Sequence, residues 1–161
     1  MSNLQTLHRE CGVASDDVFL LDLDGTLCDV SHRVHLAMAK MWDEFHSLCQ
    51  SDRPNPDVLR VVLLLQRSIM PVIVTGRNAR WRAKTEAWLS DCGVSCEALL
   101  MRPDDDFRPD AELKLSLLDR HYGGRDSWLR RVVFALEDRE RVVEAYRNLG
   151  IPTWQVRPET Y

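Results

Sequence analysis

Two acidic residues stand two positions apart in Asp22-Leu23-Asp24-Gly25-Thr26-Leu27, directly after the apolar run 18–21. In an extended segment side chains repeat every second residue, so Asp22 and Asp24 point the same way. Gly25 then permits the sharp turn that releases the chain. Carboxylates this close either share a proton or attract a divalent cation. Asp-Gly is also a common turn pair, so this motif alone does not decide between chemistry and a plain turn. A second polar set follows the apolar run 71–74. Thr75-Gly76-Arg77 offers a hydroxyl, a glycine amide and a guanidinium at a predicted helix start, a corner suited to phosphate. A third set, Glu137-Asp138, follows the run 132–136, and Lys114 lies in the helical stretch after an acidic loop. Carboxylates gathered from these ends would repel strongly. Bound Mg²⁺ relieves such repulsion, because it is a hard cation that prefers carboxylate, water and phosphate oxygens.

The elements that must position these residues alternate along the chain. Short apolar runs at 18–21, 71–74, 98–101 and 132–136 read as buried strands, with a fifth at an edge from 151 to 156. Between them run helical patterns. Pro56 suits a first helical turn after Asn55 as cap, and 58–65 follow. A helix over 79–90 carries Trp81, Thr85 and Trp88 on one stripe and closes at Gly93. Helices over 110–118 and 139–149 complete the series. Buried strands separated by helices predict an α/β fold, a parallel five-stranded sheet covered on both faces. One further helix falls outside the regular series. Val34, Met38, Met41, Phe45 and Leu48 recur at three- and four-residue steps from 31 to 50, with Ser31 as a candidate N-cap. This insert, at about 28–53, reads either as a small helical cap over the strand ends or as a plain extra core helix.

With 161 residues the chain is read as a single domain, 1–161, long enough to bury a core without staples. A net charge of −4 argues against a protein that coats long nucleic acid, but not against one that grips a strand end. The five cysteines, Cys11, Cys28, Cys49, Cys92 and Cys96, do not form a disulfide pattern, and Cys92 and Cys96 lack a second pair for zinc. Reduced thiols in a cytoplasmic protein are the expectation. The N-terminal stretch shows no targeting signal, and no apolar run is long enough to span a membrane.

Taken in order, Asp22-x-Asp24-Gly-Thr, Thr75, Lys114 and Asp138 resemble the four motifs of the haloacid dehalogenase superfamily of aspartate-nucleophile phosphatases. The resemblance implies a Rossmannoid three-layer α/β/α fold and Mg²⁺. It makes Asp22 the nucleophile and Asp24 the acid and base, with the proton on Asp24 at the start. Asp22, the main-chain carbonyl of Asp24 and Asp138 would hold the metal, with Glu137 supporting them from behind. Thr75 and Lys114 would bind the phosphoryl oxygens. A narrower resemblance is to the 3′-phosphatase domain of phage polynucleotide kinase/phosphatase. It rests on the spacing of Arg33, on Thr75-Gly76-Arg77, on the approach Asp106-Phe107-Arg108-Pro109-Asp110 to Lys114, and on the segment 136–156. That family uses two aspartates where this chain has Glu137-Asp138.

The expected substrate contacts are Thr26, Arg33, Gly76, Arg77 and Asp110. Asp110 would orient Lys114 or Arg77, or cap its own helix, or both. His32, His35 and His46 lack metal-ligand spacing and read as surface or cap residues. Arg80, Arg82 and Lys84 around Trp81 could bind a nucleic-acid backbone and stack a base, or form a solvated helix face with Trp81 inward. The implied substrate is a phosphorylated nucleic-acid end, with a nucleotide or sugar phosphate as the alternative. A noncatalytic Mg²⁺- or phosphate-binding module fits less well, since it would have no use for Asp24. No G-x-x-x-x-G-K-[ST] loop occurs, so a cooperating kinase or ligase would be a separate partner.

Overall fold

The computed structural model describes residues 12, 14 and 16–158, so Cys11 and the N-terminal stretch lie outside the described residues. Five parallel strands form the sheet: β1 (Val18–Leu21), β4 (Met70–Asn78), β5 (Ala98–Arg102), β6 (Val132–Glu137) and β7 (Thr153–Gln155). Their spatial order is β5-β4-β1-β6-β7, which puts β1 at the centre and the shortest strand, β7, at one edge. Alternate residues of each strand face opposite sides. Phe19, Leu21 and Ile73 enter one core with Phe134, which stacks on Phe19 with ring centroids 5.1 Å apart. Leu20, Val72, Val74 and Ala135 enter the other. Helices cover both faces. They are α3 (Pro56–Leu65), α4 (Arg82–Asp91), α5 (Asp110–Tyr122), α6 (Arg125–Leu129) and α7 (Glu140–Asn148). This is the predicted three-layer α/β/α arrangement. Among the described residues no helix is long and apolar enough to cross a membrane.

The segment read as one helix from 31 to 50 is broken. It folds as α1 (Val34–Met38), α2 (Trp42–Ser47) and a 3₁₀ turn over Cys49–Ser51. Lys40 adopts a positive φ of 59° between the two helices, where only a left-handed residue lets the chain turn back. Met38 and Met41, read as part of the apolar stripe, are exposed, while Ala37 and Phe45 are buried. Ser31 does not cap α1, since Arg33 holds the N-cap position, without a side-chain bond. A two-residue ribbon closes the insert, with β2 (Cys28–Asp29) antiparallel to β3 (Arg53–Pro54). Asn55 does precede α3, but its amide donates to the Thr26 carbonyl at 2.8 Å instead of capping the helix.

Two further boundaries differ from expectation. β4 runs to Asn78 and its pairing with β5 shifts register between Thr75 and Asn78. Gly76 and Arg77 therefore lie in an irregular strand end rather than at a helix start. The helix beyond begins with a 3₁₀ turn over Ala79–Trp81.

Candidate active site

Parallel strands bring their C-terminal ends to one side of a sheet, which is where open α/β folds bind ligands. Here β1 delivers Asp22, β4 carries Thr75 to Arg77, and β6 ends in Glu137 with Asp138 next. Lys114 reaches the same point from the second turn of α5. Its Nζ donates to Asp22 Oδ1 and to Glu137 Oε2, both at 2.6 Å, and all three side chains are almost fully buried. Carboxylate oxygens of Asp22, Glu137 and Asp138 lie within 4.8 Å of one another.

One ammonium among three acids leaves the group short of positive charge. Burial, and next the charge of Glu137, push the Asp22 carboxyl up to about 7. Burial, and then Asp22 and Glu137, push Asp138 up to about 9. Burial opposes the charge on Lys114, but Asp22 and Glu137 outweigh it and keep the ammonium protonated well beyond its ordinary range. Asp22 Oδ2 is buried with no hydrogen-bond partner among the described residues. Such an orphaned acceptor typically costs about 1–3 kcal/mol. An all-oxygen donor set with a spare buried oxygen fits a hard divalent cation. Thr26, expected at the substrate, is fully buried and its hydroxyl donates to Asp138 Oδ1 at 3.3 Å. Gly25, at φ +91°, lies so close beneath Asp138 that any Cβ there would run into the carboxylate.

Asp24 belongs to a different set. Its Oδ1 accepts from Arg33 at 2.7 Å and from Arg77 at 2.6 and 2.8 Å. The same guanidinia donate to Asp52, each with an Nη2 at 2.6 Å, and Arg33 adds its Nε at 2.6 Å. Both arginines are fully buried. Sequence reasoning had them touching substrate. The structure gives them to Asp24 and Asp52, because a buried guanidinium is tolerable only with carboxylates to meet it. Burial works against the charge on Asp24, yet Arg77 and Arg33 prevail and hold its carboxyl far below the usual range. Without a metal cation beside Asp22, the two carboxyls are pushed in opposite directions, Asp22 up and Asp24 down. Asp52 was not singled out from sequence. It lies 28 residues beyond Asp24 in the returning arm of the insert, and nothing in local spacing marks it. The signal that could have found it is charge balance: two buried arginines need a second acid.

The remaining expectations divide. Thr75 is buried and its hydroxyl accepts from the Arg77 amide at 3.2 Å. Gly76 is half-buried at the cleft wall beside Asp110. Asp110 neither caps α5 nor bonds Lys114 or Arg77. Its two oxygens pair with Arg102 and Arg139. His35 is exposed and His32 bonds Asp52 at 2.9 Å, whereas His46 is buried in the cleft wall, where burial pushes its imidazole down to about 4. The basic stretch after β4 ties the insert down: Arg80 pairs with Asp43 at 3.1 Å and Lys84 donates to the Ser47 carbonyl at 2.7 Å. A cleft of about 350 Å³ opens over the site, its walls including Asp22, Asp24, Trp42, His46, Phe107 and Arg139.

Residues 16–161 match the family model described as the polynucleotide kinase PNKP phosphatase domain. The chain belongs to this family. Like its members, it is a phosphatase of the haloacid dehalogenase type. A curated relative from Autographa californica nuclear polyhedrosis virus, assigned as a bifunctional polynucleotide kinase/RNA ligase, is 29% identical over 130 residues, which is 79% of this chain and 18% of that protein. The chain therefore corresponds to under a fifth of that relative's length. Among solved structures, a chain of the Pnkp1/Rnl/Hen1 RNA repair complex superposes with a TM-score of 0.74 and 26% identity, over 90% of this PNKP-type phosphatase chain and 43% of the other. The haloacid-dehalogenase-type hydrolase YfnB of Bacillus subtilis, solved with magnesium, shares the fold at a TM-score of 0.60 and 10% identity, covering 90% of each chain.

Proposed function

We propose that this phosphatase removes a terminal 3′-phosphate from a polynucleotide by transferring it to Asp22. The observation that carries the reading is the orphaned, buried Oδ2 of Asp22, set in a carboxylate cluster at the base of an open cleft. Lys114 holds the other oxygen, orients the carboxylate and favours its ionised, nucleophilic form. Attack forms an aspartyl-phosphate and expels the ribose alkoxide. Asp22, Asp138 and the main-chain carbonyl of Asp24 would hold Mg²⁺, which supplies charge neutralisation on the transferring group. Glu137 supports the cluster through Lys114. Thr75 and Lys114 stabilise phosphoryl oxygens.

Asp24, clamped by Arg33 and Arg77, suits the second half of the reaction, taking a proton from the attacking water. Protonating the leaving group requires Asp24 to gain a proton first, and the negative charge of an arriving phosphate ester beside it works in that direction. The arginines therefore act as positioning groups for Asp24. The insert over 28–53 serves as a small cap whose helix α2 walls one side of the cleft through Trp42, Phe45 and His46.

The relatives support the nucleic-acid end as substrate class and a separate kinase or ligase as partner, since one is assigned as a kinase/ligase and another belongs to an RNA repair complex. Four unpaired cysteines among the described residues suit a reducing, cytoplasmic setting. A nucleotidase is the second reading, because a cleft of about 350 Å³ also holds a free mononucleotide.

Phosphate release from oligonucleotides with 3′- or 5′-phosphate, compared with 3′- and 5′-mononucleotides, separates the two. Preference for the 3′-phosphorylated oligonucleotide is expected. Equal rates on all oligonucleotides, or faster turnover of mononucleotides, would overturn the 3′-end assignment while leaving the phosphatase.

A further inference from the structure

The mouth of the cleft carries two aromatic side chains that the fold leaves unburied. Phe107 is 91% exposed, in the loop between β5 and α5, and Trp42, the first residue of α2, is 49% exposed. Both line the same cleft as Asp22 and Asp24. The backbone that carries Phe107 and the ring of Trp42 are both held in place. The Arg102 guanidinium donates to the main-chain carbonyls of Asp106 at 2.9 Å and Arg108 at 2.8 Å, so it pins the loop on either side of Phe107. Arg108 folds back onto the Asp106 carboxylate and tightens the same tip. Trp42 packs edge-on against Phe45 and stacks on His46, with centroids 6.0 and 6.4 Å away, which fixes the angle of its indole. A loop this well tied does not need an apolar tip for its own stability. Basic groups, Arg102, Arg108 and Arg139, stand beside the rings along the cleft wall.

We infer that Phe107 and Trp42 form an aromatic jaw that stacks the nucleobase of the terminal nucleotide whose phosphate reaches Asp22. This inference rests on the polynucleotide-end reading and deepens it. Every base has a π-face, so stacking of this kind reads the presence of a base and tolerates its identity. The cleft floor supplies the chemistry, and its rim supplies recognition of the last nucleotide.

The test compares two 3′-phosphorylated oligonucleotides, one with a normal terminal base and one whose terminal nucleotide is abasic. The wild-type protein is expected to prefer the normal end by about tenfold in kcat/KM, mostly through KM. Phe107→Ala and Trp42→Ala should each lose about five- to tenfold on the normal end and under twofold on the abasic end, with Phe107→Trp restoring the preference. Phe107 is almost wholly exposed, so its replacement leaves the fold intact. Equal wild-type rates on both ends, or losses in Phe107→Ala that are the same with and without the base, would overturn the jaw alone. No release from either oligonucleotide, with a small phosphomonoester still hydrolysed, would overturn the polynucleotide-end reading and the jaw with it.

Discussion

Two buried charge clusters sit side by side in this protein, and they are built on opposite principles. Around Asp24, two carboxylates face two guanidinia, Asp24 and Asp52 against Arg33 and Arg77. Around Asp22, three carboxylates face a single ammonium, that of Lys114. The first cluster is complete in itself and holds a geometry. The second is left short of positive charge at the base of the cleft, where the proposed mechanism puts Mg²⁺ and the phosphoryl group. Acids brought this close without compensation cost stability, a cost that the proposed Mg²⁺ would relieve. The two clusters should accordingly respond to the loss of a carboxylate in opposite ways.

Asp22→Asn gives the largest expected effect. Removing the proposed nucleophile should lower phosphate release by at least about a thousandfold. It also removes one of three crowded acids, so the melting temperature without Mg²⁺ should hold or rise. A variant that kept near-normal turnover would dismiss Asp22 as the phosphate acceptor. A matching change in the balanced cluster, Asp52→Asn, should do the reverse. It leaves two buried guanidinia sharing Asp24, and the expected cost is about 3–5 kcal/mol by chemical denaturation. If Asp52→Asn proved as stable as the parent, the idea of a self-neutralised cluster would have to go.

The smallest effect is a coupling between pH and Mg²⁺. Folded Asp22 and Asp138 bind protons up to about 7 and about 9, whereas their unfolded counterparts release them near 3.8. The unfolded chain thus binds fewer protons across that window, and stability without metal should fall as pH rises through it. Mg²⁺ needs the ionised carboxylates, so its stabilisation should grow in the same direction. Thermal melts with and without MgCl₂ should show a larger shift at about pH 8 than at about pH 5.5. A shift independent of pH would place the cation elsewhere.

Much of this was legible in the residues themselves. Each buried strand is a run of apolar residues that stops at a polar one, and the stops mark Asp22, Thr75 and Glu137 without any coordinates. What could not be read has two causes, a local reversal of the backbone and contact between residues distant in sequence. Three- and four-residue spacing over 34–48 looks like one helix because periodicity is blind to the single reversed φ at Lys40. Arg33 and Arg77 were recognised as special, but their direction was set by Asp52, an acid in a loop with no local pattern. The opposite shifts of the Asp22 and Asp24 carboxyls without metal have the same origin, because they depend on which cations fold up against each, and both lie within one short motif.

The close approach of Gly25 to Asp138 joins two points 113 residues apart with room for no more than a hydrogen between them. Asp138 can keep its place beside Asp22 only while position 25 stays bare. A change there would touch no reacting atom and add no charge, yet it would lever the carboxylate out of line. Position 25 is therefore held to glycine by crowding alone.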